Sequence, residues 1–206
     1  MGGPLSLRDA LAGGVSAGAA ELLVRMNTRG LSHHGIAVAR WAIATCHRLD
    51  LDDEQTAAFA RAAIFHDAGK LEIPGRILNR RGPLPRTAWR VMRSHPVRGE
   101  RLVAEVPELA DVAPLVRHHH ERWDGEGYPD GLAGEQIPLG ARVVFACDAY
   151  VAMTSIRCYR PTLGPAAALD EVRAGAGTQF DPIVAAAVGD TVASFERFTD
   201  GGKGGR

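Results

Sequence analysis

The chain has 206 residues, of which 46% are hydrophobic and 23% charged, and its formal net charge is +0. That length suits one domain with a sizeable core, and the balanced charge gives no general attraction to a nucleic acid polymer or an acidic membrane. No apolar run approaches the ~20 residues that span a bilayer, MGGPLSLRDALAGG lacks the basic leader and apolar centre of a secretory signal, and three unpatterned cysteines fit a reducing compartment, so a cytoplasmic protein is predicted.

Residues 1–15 are glycine-rich and predicted to be flexible. From Ser16, AGAAELLVRM reads as a helix that Asn27 to Gly30 breaks. A second helix starts at Leu31 or Ser32, with Ile36, Ala39, Ile43 and Cys46 at helical spacing. Asp50 to Asp53 supply a turn and an N-cap for DEQTAAFARAAIFHDAG, which stops at Gly69. Residues 71–86 contain Pro74, Gly75, Gly82, Pro83 and Pro85 and read as a long loop. A helix over Thr87 to Ser94 follows, and His95-Pro96 restarts one that Pro107 ends. The next, Glu108 to His119, carries a run of three histidines. Residues 121–138 form a second long loop. LGARVVFACDAYVAMTS is apolar except at Asp148, which predicts a central helix. Segments 165–174 and 182–197 are two more helices, and the tail 199–206 has no reason to fold. No alternating strand and no repeat is evident. The predicted architecture is an all-α domain over residues 16–198, a compact bundle of about seven to nine helices with two long loops. Long loops in a compact domain are usually functional or disordered, and each of these directly follows a histidine motif.

Five groups of residues carry chemistry. His66 and Asp67 sit together at a helix end with Lys70 four residues beyond His66, and a carboxylate in that Ala/Ile/Phe-rich surrounding needs a cation or several donors. His119 and His120 point about 100° apart on a helix, which suits two different metals, or one metal and one substrate oxygen. Asp148 lies inside VVFACDAYVAM, where a carboxylate is costly unless paired. His95 precedes a proline, and His34 lies near a helix start, although the pattern alone does not separate it from His33. Each has an ordinary alternative as a polar helix end, a solvated face or a hydrogen-bonded core residue. Together His34, His66, Asp67, His95, His119, His120 and Asp148 make seven imidazole and carboxylate groups with no cysteine, a donor set for iron, manganese or zinc. A single tetrahedral zinc takes about four ligands, so the number points to two metals, an arrangement that activates water and clamps phosphoryl oxygens. Arg157 and Arg160, in TSIRCYRP, are either a phosphate grip or a solvated basic turn.

HDAGKLEIP, the His95-Pro96 pair, HHERWDGEGYPDGL, IPLGARVV and DAYVAMTSIRCYRP occur in the order and spacing of the HD-GYP domain, a branch of the HD phosphohydrolase superfamily. The resemblance runs from about His34 to Pro182. It implies a helical fold and a two-metal site that activates a hydroxide to hydrolyse cyclic di-GMP, to pGpG and often to GMP. The metals would be iron or manganese, with zinc a further option. It puts the metal ligands on the seven residues above with Asp67 bridging, the catalytic lysine on Lys70, and the phosphate contacts on Arg157 and Arg160. It implies that Gly127, Tyr128 and Pro129 shape the substrate side of the pocket, with Tyr128 touching a base or its own loop backbone. A protein partner at that GYP loop is a further expectation, since no receiver or other sensory segment is recognisable in these residues. The chain departs from the pattern at Gly30, where some members carry a glutamate and bind a third metal, and at Ala37, Ala68 and Val151. Two metals are therefore expected. The alternatives are a phosphohydrolase of another nucleotide, or a catalytically impaired cyclic-dinucleotide-binding module marked by Val151 and Ala68.

Overall fold

The computed structural model describes residues 16–155 and 162–200, with side chains described as far as Phe195. Helices α1 (Ala17–Thr28), α2 (Ser32–Arg48) and α3 (Asp53–Phe65) open the fold. The short α4 (Gly75–Leu78) and α5 (Arg86–Met92) lead to α6 (His95–Ala104) and α7 (Ala113–His118). Helices α8 (Leu139–Thr154), α9 (Pro165–Ala174) and α10 (Pro182–Asp200) complete it. Among the described residues there is no strand, only one isolated bridge between Ala176 and Phe180. No described helix is long and apolar enough to cross a membrane.

Local chemistry sets several boundaries. Ser16 accepts a hydrogen bond from the Ala19 amide, and Asp52 accepts one from Gln55, so α1 and α3 begin where side-chain oxygens satisfy free N–H groups. Prolines occupy the first turns of α6, α7, α9 and α10, where their missing N–H leaves no bond unmade.

Five boundaries differ from the sequence reading. The third helix ends at Phe65, not Gly69, and the chain tightens into a 3₁₀ turn over Ala68–Glu72. The segment 108–119 is not one helix: a 3₁₀ stretch over Pro107–Val112 precedes α7, because Pro114 cannot donate to a carbonyl in a continuous helix. The loop 71–86 contains α4, and the loop 121–138 contains a 3₁₀ turn at Gly134–Gln136. Helix α10 runs to Asp200, into the segment assigned to the tail, while residues 1–15 and 201–206 lie outside the described residues.

The core lies where α2, α3 and α8 pack together, and α8 also contacts α9 and α10. Its contact residues are small: Val38, Ala39 and Ala42 meet Ala60, Ala63 and Ile64, and Val143, Val144, Ala146 and Cys147 fill the centre. Small side chains let helix axes approach closely, which brings the polar residues at their ends within reach of one another. Helix α8 is buried around most of its circumference, as its apolar sequence predicts. Cys46 and Cys147 are buried free thiols whose pKa values burial pushes up to about 12, so they behave as small core residues.

Candidate metal centre

Five segments bring the predicted ligands to one place. His34 projects from the first turn of α2, and His66 and Asp67 stand at the end of α3. His95 opens α6, His119 and His120 follow α7, and Asp148 lies inside α8. The turn after His66 can lie against α6 only because residue 69 is glycine: a Cβ there would sit 1.9 Å from the His95 carbonyl oxygen.

Within the cluster, His34 Nε2 donates to Asp148 Oδ1 at 2.7 Å, which separates His34 from the exposed His33. His66 Nε2 lies 3.5 Å from Asp67 Oδ2 and 3.9 Å from Asp148 Oδ1. His95 Nε2 lies 3.5 Å from Asp67 Oδ1 and 3.2 Å from His119 Nε2. Asp67 is thus shared between two sides of the cluster. Three sets of donor atoms approach closely enough to hold an ion: His34 with His66 and Asp148, His66 with Asp67 and His119, and His95 with His119 and His120.

The imidazoles are oriented from behind. His66, His95 and His119 each donate Nδ1–H to the carbonyl three residues earlier, Ala63, Met92 and Val116, at 2.7, 2.8 and 2.7 Å. A carbonyl can only accept, so Nδ1 carries the hydrogen and the neutral ring presents a lone pair at Nε2. In His95 and His119 these two lone pairs face each other at 3.2 Å. Burial, followed by Lys70, pushes the His95 pKa down to about 4, and burial, followed by His120, pushes His119 well below the ordinary imidazole value. No proton is therefore held between them near neutral pH, and a cation fits there. His66 Nε2 is also buried without a hydrogen-bond partner, an arrangement that a cation relieves. Nitrogen lone pairs, carboxylate oxygens and carbonyl-oriented rings form a coherent divalent-metal donor set.

The carboxylates stay ionised. Burial would raise Asp67, but Lys70, His66 and His95 outweigh it and hold the group well below the usual carboxylate range. Burial would likewise raise Asp148, and the hydrogen bond from His34 together with His66 brings it below its ordinary value. Lys70 Nζ lies 2.7 Å from Asp67 Oδ2, and both residues line a cleft of about 440 Å³ with His34, Gly30 and Ala37. Two of the departures from the family pattern therefore widen the cleft wall. The other two, Ala68 and Val151, are core residues at 0% and 3% exposure. Arg157 and Arg160 lie outside the described residues.

Gly127, Tyr128 and Pro129 do not line that cleft. They form one wall of a separate groove. The Tyr128 ring stacks on His120, with centroids 4.9 Å apart at 25°, its amide donates to the His120 carbonyl, and the Arg93 guanidinium lies 4.4 Å from its centroid. The Tyr128–Pro129 peptide is cis. Residue 127 must be glycine, since a Cβ would come within 2.3 Å of the Arg122 nitrogen.

The sequence reading gave no role to Glu121, although it completes the HHE motif. Its carboxylate is buried and accepts from the amides of Asp130, Gly131 and Leu132 at 2.6, 3.1 and 3.2 Å. It therefore ties the GYP loop to the end of α7. Asp130 is pinned from outside by Arg117, which also pairs with Glu100, and by His118. The first histidine of the triple thus serves the loop, not the cluster.

A family model described as the HD domain matches residues 18–184. A cyclic di-GMP phosphodiesterase of Pseudomonas aeruginosa is 40% identical over 152 residues, covering 73% of this chain and 36% of that protein. A 3′3′-cGAMP-specific phosphodiesterase of Vibrio cholerae is 30% identical over 149 residues, covering 72% and 32%. This chain spans about a third of the length of these relatives. Among solved structures, an HDG"Y"P protein from Bdellovibrio bacteriovorus superposes with a TM-score of 0.64 at 18% identity, covering 92% of this chain and 65% of that one, a likeness of fold.

Proposed function

The chain belongs to the HD domain family, and on that premise we propose that it is a metal-dependent phosphodiesterase that hydrolyses cyclic di-GMP. The observation that carries this reading is the convergence of seven imidazole and carboxylate groups, among which the carbonyl-tied rings of His66, His95 and His119 turn unprotonated Nε2 atoms inward and His66 Nε2 is buried without a partner. Residues 16–198 form the catalytic unit, acting in the cytoplasm.

His34, His66, Asp67, His95, His119, His120 and Asp148 would hold two divalent ions, iron or manganese before zinc, with Asp67 shared. Such ions supply a water made acidic enough to act as a nucleophile near neutral pH, and charge neutralisation on phosphoryl oxygens. The remaining work falls to the chain. Lys70 holds its ammonium at the cleft while paired to Asp67, so it meets the charge that develops on a phosphate or on the departing 3′-oxygen. Arg157 and Arg160 would hold the non-reacting phosphate. Carbonyl oxygens fix each buried imidazole, so the donor atoms need no reorganisation. Tyr128 and Glu121 position His120 and the GYP loop, which is also the surface open to a protein partner.

The test is elemental analysis of anaerobically purified protein, then turnover of cyclic di-GMP, cyclic di-AMP and 3′3′-cGAMP on the same sample. Two metal equivalents with fastest turnover of cyclic di-GMP are expected. Metal-loaded protein that binds it tightly without hydrolysis, or prefers another nucleotide, refutes the reading.

A further inference from the structure

The groove beside the GYP loop is unlike the rest of the surface. Arg86, Trp89, Arg90 and Arg93 line it at spacings of three and four residues, so α5 and its C-cap turn one face toward it. Helix α5 buries no residue of its own, and Trp89 is 48% exposed. Several arginines elsewhere are paired, Arg98 and Arg101 with Glu72, Arg117 with Glu100 and Asp130, and Arg142 with Asp181. Among the described residues no ion pair engages Arg86, Arg90 or Arg93. Arg93 is instead fixed against the Tyr128 ring. The result is an unneutralised row of guanidiniums next to an exposed indole, around a space of about 690 Å³. That volume lies in the range of about 300–1,000 Å³ usual for small-molecule sites. The groove shares no lining residue with the Asp67–Lys70 cleft.

We propose that this groove is a second nucleotide site, with a base stacked on Trp89 and its phosphate held by Arg86 and Arg90. Guanidiniums offer paired N–H donors that match phosphate oxygens. An exposed indole supplies a stacking face for a base, and stacking tolerates any base identity. Arg93 lies over the Tyr128 ring and also lines the groove, so it belongs to the groove's floor. A bound nucleotide would press on Tyr128, whose other neighbour is His120. The site thus adjoins the metal centre without opening into the cleft.

The experiment titrates the metal-loaded full chain with GMP, which has no phosphodiester to cleave, following both tryptophan fluorescence and heat. GMP should quench fluorescence, and Trp89→Phe should abolish the change although Trp41 and Trp123 remain. Arg86→Glu/Arg90→Glu should raise the calorimetric Kd about tenfold or more, the loss expected for two charge-assisted contacts. These side chains are exposed, and an unchanged circular dichroism spectrum checks that both variants fold. No heat at millimolar GMP, an unchanged Kd in the double variant, or equal affinity for inorganic phosphate would overturn the proposal. The KM for cyclic di-GMP then identifies the source of the nucleotide. A raised KM in the double variant assigns the site to the outer half of the substrate, and an unchanged KM assigns it to a free nucleotide. Failure of wild-type protein to hydrolyse cyclic di-GMP would refute the proposed function yet leave the GMP titration standing.

Discussion

The two ends of the metal centre are built on different principles. At the α2–α8 end, His34 and Asp148 hydrogen-bond to each other at 2.7 Å and open to the cleft with side chains 21% and 17% exposed. At the α6–α7 end, His95, His119 and His120 crowd together with no carboxylate of their own except the shared Asp67, closed over by Tyr128. The first end can satisfy itself through an acid–base pair. The second consists of lone pairs facing lone pairs and depends on a cation or on Asp67. On the proposed function, an ion at the open end would exchange ligands with substrate, while one at the closed end would be retained.

The largest effect should come from removing the group common to both ends. Asp67→Ala is expected to abolish turnover and lose both metals together, read by elemental analysis beside kcat; retained hydrolysis would show that the ends work independently. Breaking one end at a time sharpens this. His34→Ala should leave roughly half the bound metal, the ion at the closed end, whereas His95→Ala should lose the ion that wild-type protein gives up most slowly to a chelator. Equal chelation rates for the two variants would erase the distinction.

Acid should act on the closed end first. His95 and His120 have pKa values pushed down to about 4 and about 3, by burial first and then by Lys70 and His95 respectively. A folded-state value below the unfolded imidazole value means that the unfolded chain binds more protons in between. The stability from the neutral rings is therefore complete above pH ~6.5 and declines as pH falls toward the folded values. Chelated protein should lose on the order of 2 kcal/mol per buried ring between pH 7.5 and 5, measured by urea unfolding. Asp67 and Asp148, held below their ordinary values, add a loss of the same sign at lower pH. A flat profile would contradict the neutral, carbonyl-tied rings.

Smaller effects concern the loop that covers the closed end. Glu121→Ala orphans three amides and should cost about 2–4 kcal/mol in stability while both metals remain bound, with KM raised. Arg117→Ala removes half-exposed ion pairs to Glu100 and Asp130 and should cost about 1 kcal/mol or less. If Glu121→Ala instead releases metal, the loop and the ligands form one cooperative unit.

Much of the centre was legible because its ligands sit at places that local chemistry marks. Helix ends beside glycine and proline expose His66, Asp67, His95 and His119, and Asp148 is conspicuous as the one charge within VVFACDAYVAM. The family likeness added the register that joins them. Four things were not legible. His34 differs from His33 only by which side of α2 faces α8. Glu121 looked like part of a polar run until its three amide partners appeared. Val151 and Ala68 read as departures near the motifs, yet their side chains point into the core. The GYP triplet was expected on the substrate side of the metal pocket and lies along a different groove.

What the sequence by itself determined is the helical class, the helix-breaking turns, and a set of imidazoles and carboxylates suited to metal binding. Periodicity and side-chain chemistry are local properties and survive without a fold. Only the tertiary structure decided which donors lie close together, that Asp67 reaches both ends, and that Arg86, Trp89 and Arg90 line one groove beside the loop. Those facts depend on how closely alanine- and glycine-lined helices approach across dozens of residues, a distance that no local pattern encodes.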